Sequence, residues 1–248
     1  MKILIHFGKE FDFFQTKGRQ DRRLVYDVNR NASVKDIIES LGVPHTEVGH
    51  LYFNYQVIDF SYIPFSPGRV DVKGIPSPFD VRSPSVLRPK PLDRFRFIAD
   101  VNVIRLGRLL ILLGFDVHYS SSCLDHEIAD IAEAEHRIIL TRDTDLLKRK
   151  KIDFARRIMA DLPYEQLVET VCFFGLEPMI HFFSRCTACN VPLVTVAKSE
   201  VMPLLEPKTK LYFNTFFRCP QCKNVFWRGS HYDSIRKRMS SLGISIKS

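Results

Sequence analysis

Arg94-Phe95-Arg96-Phe97-Ile98-Ala99-Asp100 is the stretch that decides the fold. It predicts an apolar strand that closes on a carboxylate, and a charge at the end of a buried strand needs a partner. Downstream, Leu106, Leu109, Leu110 and Leu113 fall on one helical stripe that Gly114 stops. Asp116–Ser120 predicts a second strand. Ile128, Ile131 and Ala132 mark a second helix, entered through Cys123-Leu124-Asp125-His126-Glu127. Arg137–Thr141 predicts a third strand. It runs into Arg142-Asp143-Thr144-Asp145 and a short helix with Lys148, Arg149, Lys150 and Lys151 in its last turn. Ala155–Met159 predicts a fourth strand, and Pro163 opens a helix that reaches Phe174 before Gly175. Strands alternating with helices argue for an α/β fold with a parallel sheet covered on both faces.

Ligands of such sheets bind outside the carboxyl ends of the strands. Asp100 and Asp143 fall at such ends, Asp125 opens the second helix, and Asp145 lies two residues beyond Asp143. The linear order therefore offers four carboxylates to one crevice. Hard cations such as Mg²⁺ or Mn²⁺ take oxygen ligands and can serve an in-line phosphodiester displacement. Each acid also has a structural use open to it. Asp125 and Asp143 are natural N-caps, and Asp145 suits a first helical turn. Glu127 competes with Asp125 for the second acidic position, and spacing does not separate them.

Farther along stand two C-x-x-C pairs, Cys186-Thr187-Ala188-Cys189 and Cys219-Pro220-Gln221-Cys222. Such turns present two thiolates each to a tetrahedral ion, so the four predict one structural zinc per chain. Disulfides are the alternative use of the same residues. A closed four-thiolate site has no position for substrate, so catalysis belongs to the acids.

The net charge of +8 is unevenly spread. Residues 1–90 carry 13 basic and 10 acidic side chains, residues 91–182 carry 12 and 15, and residues 183–248 carry 11 and 3. An acidic middle beside a basic end predicts a carboxylate site flanked by a polyanion-binding surface. In the basic end Phe213, Phe216, Phe217, Phe226 and Trp227 are interleaved with Lys208, Lys210, Arg218, Lys223 and Arg228. Aromatics among cations suit RNA, although a ribbon's small core uses aromatics too. Val191–Ala197 and Leu211–Arg218 predict strands, and Ser234–Leu242 a short basic helix. No apolar run is long enough to span a membrane. Met1–Phe7 reads as a strand and not a signal peptide, which with paired thiols predicts a cytoplasmic protein.

Lys2–Phe7 and Arg23–Asn29 alternate as a strand pair. Ser33 caps a helix carrying Val34, Ile37, Ile38 and Leu41, with Gly42 and Pro44 after it. Leu51–Asn54, Val57–Asp59 and Arg69–Lys73 predict further strands. The order β-β-α-β-β is that of a β-grasp, or ubiquitin-like, domain. It resembles the ubiquitin-like domain that precedes certain PIN-like nucleases, most clearly at Gly42-Val43-Pro44-His45-Thr46-Glu47-Val48-Gly49. Within it, His45 and Glu47 read as a satisfied turn. Five prolines between Ile75 and Leu92 predict an extended linker that also carries Arg82, Arg88 and Lys90. The expected domains are 1–75, a linker at 76–92, 93–182, and 183–248.

Phe97-Ile98-Ala99-Asp100, Leu106-Gly107-Arg108-Leu109, Leu112-Leu113-Gly114-Phe115-Asp116, Asp125-His126-Glu127-Ile128 and Leu140–Leu147 match one pattern in order. With the four cysteines and Trp227-Arg228-Gly229-Ser230-His231, the chain resembles the Mut-seven C-terminal RNase family. Asn102-Val103-Ile104 departs from that pattern at what would be the site's mouth. The resemblance implies a PIN-like, three-layer α/β/α parallel-sheet domain with an appended zinc ribbon. It places the catalytic acids on Asp100, Asp125, Asp143 and Asp145, with Mg²⁺ or Mn²⁺ on Asp100 and Asp143. RNA, single-stranded or small and structured, is the expected partner, held by Arg105, Arg108, Arg142, Lys208, Lys210, Arg218, Arg228 and His231. A protein partner of the ubiquitin-like domain is also expected. The rival classes are a non-catalytic RNA-binding or adaptor protein and a DNA-directed nuclease.

Overall fold

A computed structural model describes residues 1–14, 22–28 and 31–246. In chain order the first region gives strands β1 (Lys2–Phe7) and β2 (Arg23–Asp27), helix α1 (Val34–Ser40), and strands β3 (Val48–Phe53), β4 (Gln56–Val57) and β5 (Arg69–Gly74). The middle gives β6 (Arg96–Ala99), α2 (Ile104–Leu112), β7 (Asp116–Tyr119), α3 (Asp125–Glu135), β8 (Ile138–Thr141), α4 (Thr144–Leu147), β9 (Ala155–Arg157) and α5 (Pro163–Phe174). The last region gives β10 (Val194–Val196), α6 (Lys198–Val201), α7 (Pro207–Tyr212), β11 (Phe216–Arg218), β12 (Val225–Trp227) and α8 (Ser230–Ser241). Asn29, expected at the end of the second strand, lies outside the described residues.

The chain divides into two compact units, Met1–Phe95 with Cys123–Arg157, and Arg96–Ser122 with Ile158–Ser248. In the first, a five-stranded sheet runs in the order β2-β1-β5-β3-β4. β1 and β5 are parallel, and the remaining neighbours are antiparallel. This is the β-grasp arrangement that the strand order predicts. Alternation along β1 sends Ile3, Ile5 and Phe7 into the core, where they meet Val34, Ile37 and Ile38 of α1. The helix starts where expected because Ser33 Oγ accepts the Asp36 N–H and the Asp36 carboxylate accepts the Ser33 N–H. At the sheet's half-exposed side, Asp71 Oδ1 accepts from Arg69 Nη2 at 2.5 Å and lies 3.0 Å from His6 Nδ1.

The same unit contains α3, the parallel pair β8 and β9, and α4. β8 is buried along its whole length. α4 ends at Leu147, so the Lys148–Lys151 run follows the helix and does not form its last turn. The Pro-rich stretch has no strand or helix, yet Val81, Leu87, Arg88 and Leu92 are buried.

In the second unit β6 and β7 pair in parallel, with α2 and α5 packed nearby. Phe97 meets Phe115 and Phe174 edge-on at 5.9 and 5.8 Å. Leu106, Leu110 and Ile111 form the buried face of α2, with Ile111 where Leu109 was expected. A Cβ at Gly107 would lie 3.0 Å from Ala99 Cβ, so a glycine lets α2 lie directly on β6. The ribbon sheet is antiparallel in the order β10-β11-β12. It is fastened to β7 by Asn190, whose side chain donates to Asp116 Oδ1 at 2.9 Å and accepts the Val117 N–H at 3.3 Å. Two expectations fail here. Leu211 and Tyr212 belong to α7, opened by Pro207, so only Phe216–Arg218 of that stretch is strand. The final helix starts at Ser230, four residues early, which puts His231 in its first turn. No described helix is long and apolar enough to cross a membrane.

Candidate functional site

The four ribbon cysteines come together, with their sulfurs all within 4.8 Å of one another. The two turns that carry them are built alike. Cys186 N–H donates to Val191 O and Asn190 N–H to Cys186 O, while Cys219 N–H donates to Asn224 O and Lys223 N–H to Cys219 O. Asn190 and Lys223 both adopt the left-handed region, with φ of 59° and 64°. Cys186 and Cys219 are buried, and Cys186 Sγ lies 3.7 Å from Cys222 Sγ of the other turn. That spacing suits ligands sharing one ion, whereas a disulfide needs about 2.05 Å. Burial and the neighbouring thiols push Cys189 up to about 12. At Cys219 burial also acts upward, but the N–H groups of Cys222 and Gln221, together with the Cys222 and Cys186 thiols, outweigh it and bring the thiol to about 7. The set can hold one zinc, which replaces the thiol protons.

The acids sit where strands end or helices begin. Asp100 follows β6 directly and is 5% exposed. Its Oδ1 accepts the Val101 N–H at 2.6 Å and its Oδ2 the Asn102 amide at 3.0 Å. Asn102 is thus a direct neighbour of the acid, a role that spacing did not reveal. Asp143 lies just past β8 and caps α4, its Oδ1 accepting the Asp145 N–H at 2.8 Å. Asp125 is not the cap expected of it. Leu124 holds the cap position of α3, and Asp125 is the first helical residue, 3.6 Å from Arg149. Glu127 Oε2 turns back to accept the Leu124 N–H at 2.7 Å. Asp145 is 91% exposed, with Lys148 Nζ 3.9 Å away. Asp125, Asp143 and Asp145 belong to the first unit, and Asp100 to the second.

The Asp143 loop is held from the β-grasp side of its own unit. Glu47, 4% exposed, accepts the Arg157 N–H at 2.7 Å and pairs with Arg156 Nη1. Burial pushes the Glu47 carboxyl up, while Arg156, the Arg157 N–H and Arg88 act against this. Arg157 in turn donates to the Arg142 carbonyl and to Thr144 Oγ1, on either side of Asp143. Beside this, His45 Nε2 meets Ile152 O at 2.7 Å and Nδ1 meets Glu39 at 2.5 Å. Buried Arg88 donates to Asp153 O, Val48 O and Thr46 O, each within 2.9 Å. Its burial brings it down to about 10. The satisfied turn read at His45 and Glu47 is thus satisfied by Glu39 nearby and by residues more than a hundred positions away.

A family model described as Mut7-C RNAse domain matches residues 95–239, and one described as Mut7-C ubiquitin matches residues 1–80. The chain belongs to the Mut7-C RNAse family. No curated protein and no solved structure gave a match. The cations expected of a Mut7-C nuclease are dispersed. Arg105 and Arg108 project from α2, Arg142 adjoins Asp143, and Lys208 and Lys210 ride on α7. Arg218 ends β11, its Nε donating to Lys223 O in the second cysteine turn at 3.3 Å, and Arg228 and His231 flank the start of α8.

Proposed function

We propose that this Mut7-C protein is a divalent-metal-dependent ribonuclease whose acids are Asp100, Asp125, Asp143 and Asp145. The observation that carries the reading is the position of Asp100 and Asp143, in an RNase family, just past the C-terminal ends of parallel strands. All four side chains offer oxygen alone, the donor that Mg²⁺ and Mn²⁺ take. When bound, such a cation lowers the pKa of water and neutralises phosphate charge. The residues do the rest. The Val101 and Asn102 donors fix Asp100, and the Asp145 N–H fixes how Asp143 presents its second oxygen. Arg105, Arg108, Arg142 and the Lys148–Lys151 run offset charge on the RNA backbone. The ribbon, folded around one zinc, adds affinity for a single-stranded or small structured RNA, and a reducing cytoplasm keeps its thiols free to bind metal.

The test is incubation of full-length protein with labelled RNA and DNA, with and without added Mg²⁺ or Mn²⁺. RNA cleavage that requires the added ion is expected. Intact RNA under all conditions would favour a non-catalytic RNA-binding or adaptor protein, and equal cutting of DNA a general nuclease.

A further inference from the structure

Within the second unit, the ribbon, the start of α8 and the side of α2 enclose a cleft of about 870 Å³. Its walls are largely aromatic, with Tyr119, Phe183, Phe226, Trp227 and Tyr232 among them. Arg108 and exposed His231 supply the polar edge, and no Asp or Glu is among the described residues that line it. Arg108 lies 5.7 Å from the Tyr119 ring centroid, and neighbouring Arg228 lies 5.6 Å from that of Tyr232.

Two backbone features serve this wall. Phe183 sits at φ 64°, a region that bulky side chains rarely enter. Its N–H donates to Leu112 O at 2.8 Å, and its ring meets Phe226 and Tyr232 edge-on at 5.9 and 5.2 Å. Strain of this kind persists where the surroundings impose it, and it gathers at functional sites. Gly229 holds the cap position of α8 close to the indole, where an added Cβ would lie 2.9 Å from Trp227 Nε1. A strained phenylalanine and a glycine close against the indole thus border one open space.

Flat apolar faces, cations at the rim and no carboxylate are complementary to a nucleobase with its phosphates. A purely apolar ligand would leave the cations unused, and a bare phosphate would leave the rings unused. The surrounding residues 183–248, with 11 basic and 3 acidic side chains, match a polyanion. We infer that the cleft grips one unpaired base of the RNA, stacked against Tyr119 or Trp227, with the adjoining phosphates on Arg108 and Arg228. This rests on the ribonuclease reading and narrows it, because the substrate must then present a single-stranded base.

Trp227 is the only tryptophan of the chain, so its fluorescence reports this cleft alone. Zinc-loaded full-length protein, without added Mg²⁺ or Mn²⁺, is titrated with a short oligouridylate and with an abasic strand of equal charge. Saturable quenching by the first and none by the second is expected. Arg108→Gln and Tyr119→Ala should each weaken binding roughly tenfold, with zinc content and circular dichroism unchanged. Arg108 is exposed, so its variant keeps the test open if the tyrosine variant folds poorly. Equal quenching by the abasic strand, or quenching by an apolar peptide and none by RNA, overturns the inference. RNA cut while Trp227 stays silent also overturns it and spares the nuclease reading. Quenching by RNA that is never cut, with metal restored, supports the cleft and removes the nuclease.

Discussion

The Glu47 carboxylate accepts the Arg157 N–H at 2.7 Å across 110 sequence positions. Arg157 then holds the Arg142 carbonyl and Thr144 Oγ1, which bracket Asp143. The ubiquitin-like domain therefore braces the loop that carries a proposed catalytic acid. Glu47→Ala removes the buried carboxylate that pairs with Arg156 and accepts the Arg157 N–H. Removing one member of such a pair costs about 3–5 kcal/mol. Urea unfolding should show that loss, and cleavage should slow even where the variant stays folded. Stability within about 0.5 kcal/mol of wild type, the usual range for surface substitutions, would mean that the contact does not brace the loop.

Elemental analysis should find about one zinc per chain, as four thiolates close one tetrahedral site. Cys189→Ser should lose the zinc and expose residues 183–232 to protease, while the β-grasp sheet stays resistant. Because zinc replaces thiol protons, acidification should release it. A tail that resists protease without zinc would contradict this.

Asp143→Asn keeps an oxygen able to accept the Asp145 N–H, so the cap of α4 and the fold should survive. It removes one metal-binding charge. Cleavage should fall by about a hundredfold or more, since metal stabilisation is worth several kcal/mol and each 1.4 kcal/mol is tenfold. A folded variant cutting at the wild-type rate would place the chemistry elsewhere.

RNA binding should weaken with salt, by a log–log slope of roughly 0.7 per phosphate contact on a single strand. Replacing Lys208, Lys210, Arg218 and Arg228 with Gln should flatten that slope and raise KM more than it lowers kcat. An unchanged slope would shift the binding surface to the Lys148–Lys151 run.

Acid stability offers a separate check on the β-grasp sheet. Partial burial acts upward on Asp71, but hydrogen bonds from Arg69 and His6 prevail and hold it below its ordinary 3.8. A depressed carboxyl contributes stability above its unfolded value and loses it as pH falls through the folded value. The stability difference between wild type and Asp71→Asn should therefore be constant above 3.8 and close below it. A gap that persists in strong acid would assign the effect to packing.

Local pattern made much of this legible. Alternation exposed β1, Ser33 as an N-cap exposed α1, and a carboxylate ending an apolar strand exposed Asp100. The C-x-x-C spacing exposed the thiol cluster, because each turn is a local device. What failed was set by distant or competing contacts. Leu211 and Tyr212 read as strand until Pro207 is seen to nucleate α7 ahead of them. Arg88 read as a linker charge because its acceptors, Val48 and Asp153, are remote in sequence. The aromatic cleft joins α2 to the ribbon, and no spacing rule links Arg108 to Trp227.

The first unit is assembled from two separated lengths of chain, residues 1–95 and 123–157. A ribosome delivers the β-grasp sheet first, with the acceptor side of Glu47 in place and Arg156 and Arg157 still unsynthesised. At about 5–20 residues per second the interval lasts several seconds. During it Glu47 lacks the Arg156 and Arg157 donors that its buried carboxylate has in the finished chain. Newborn chains thus pass through a stage that the finished protein conceals, and a truncation at residue 95 would hold them in it.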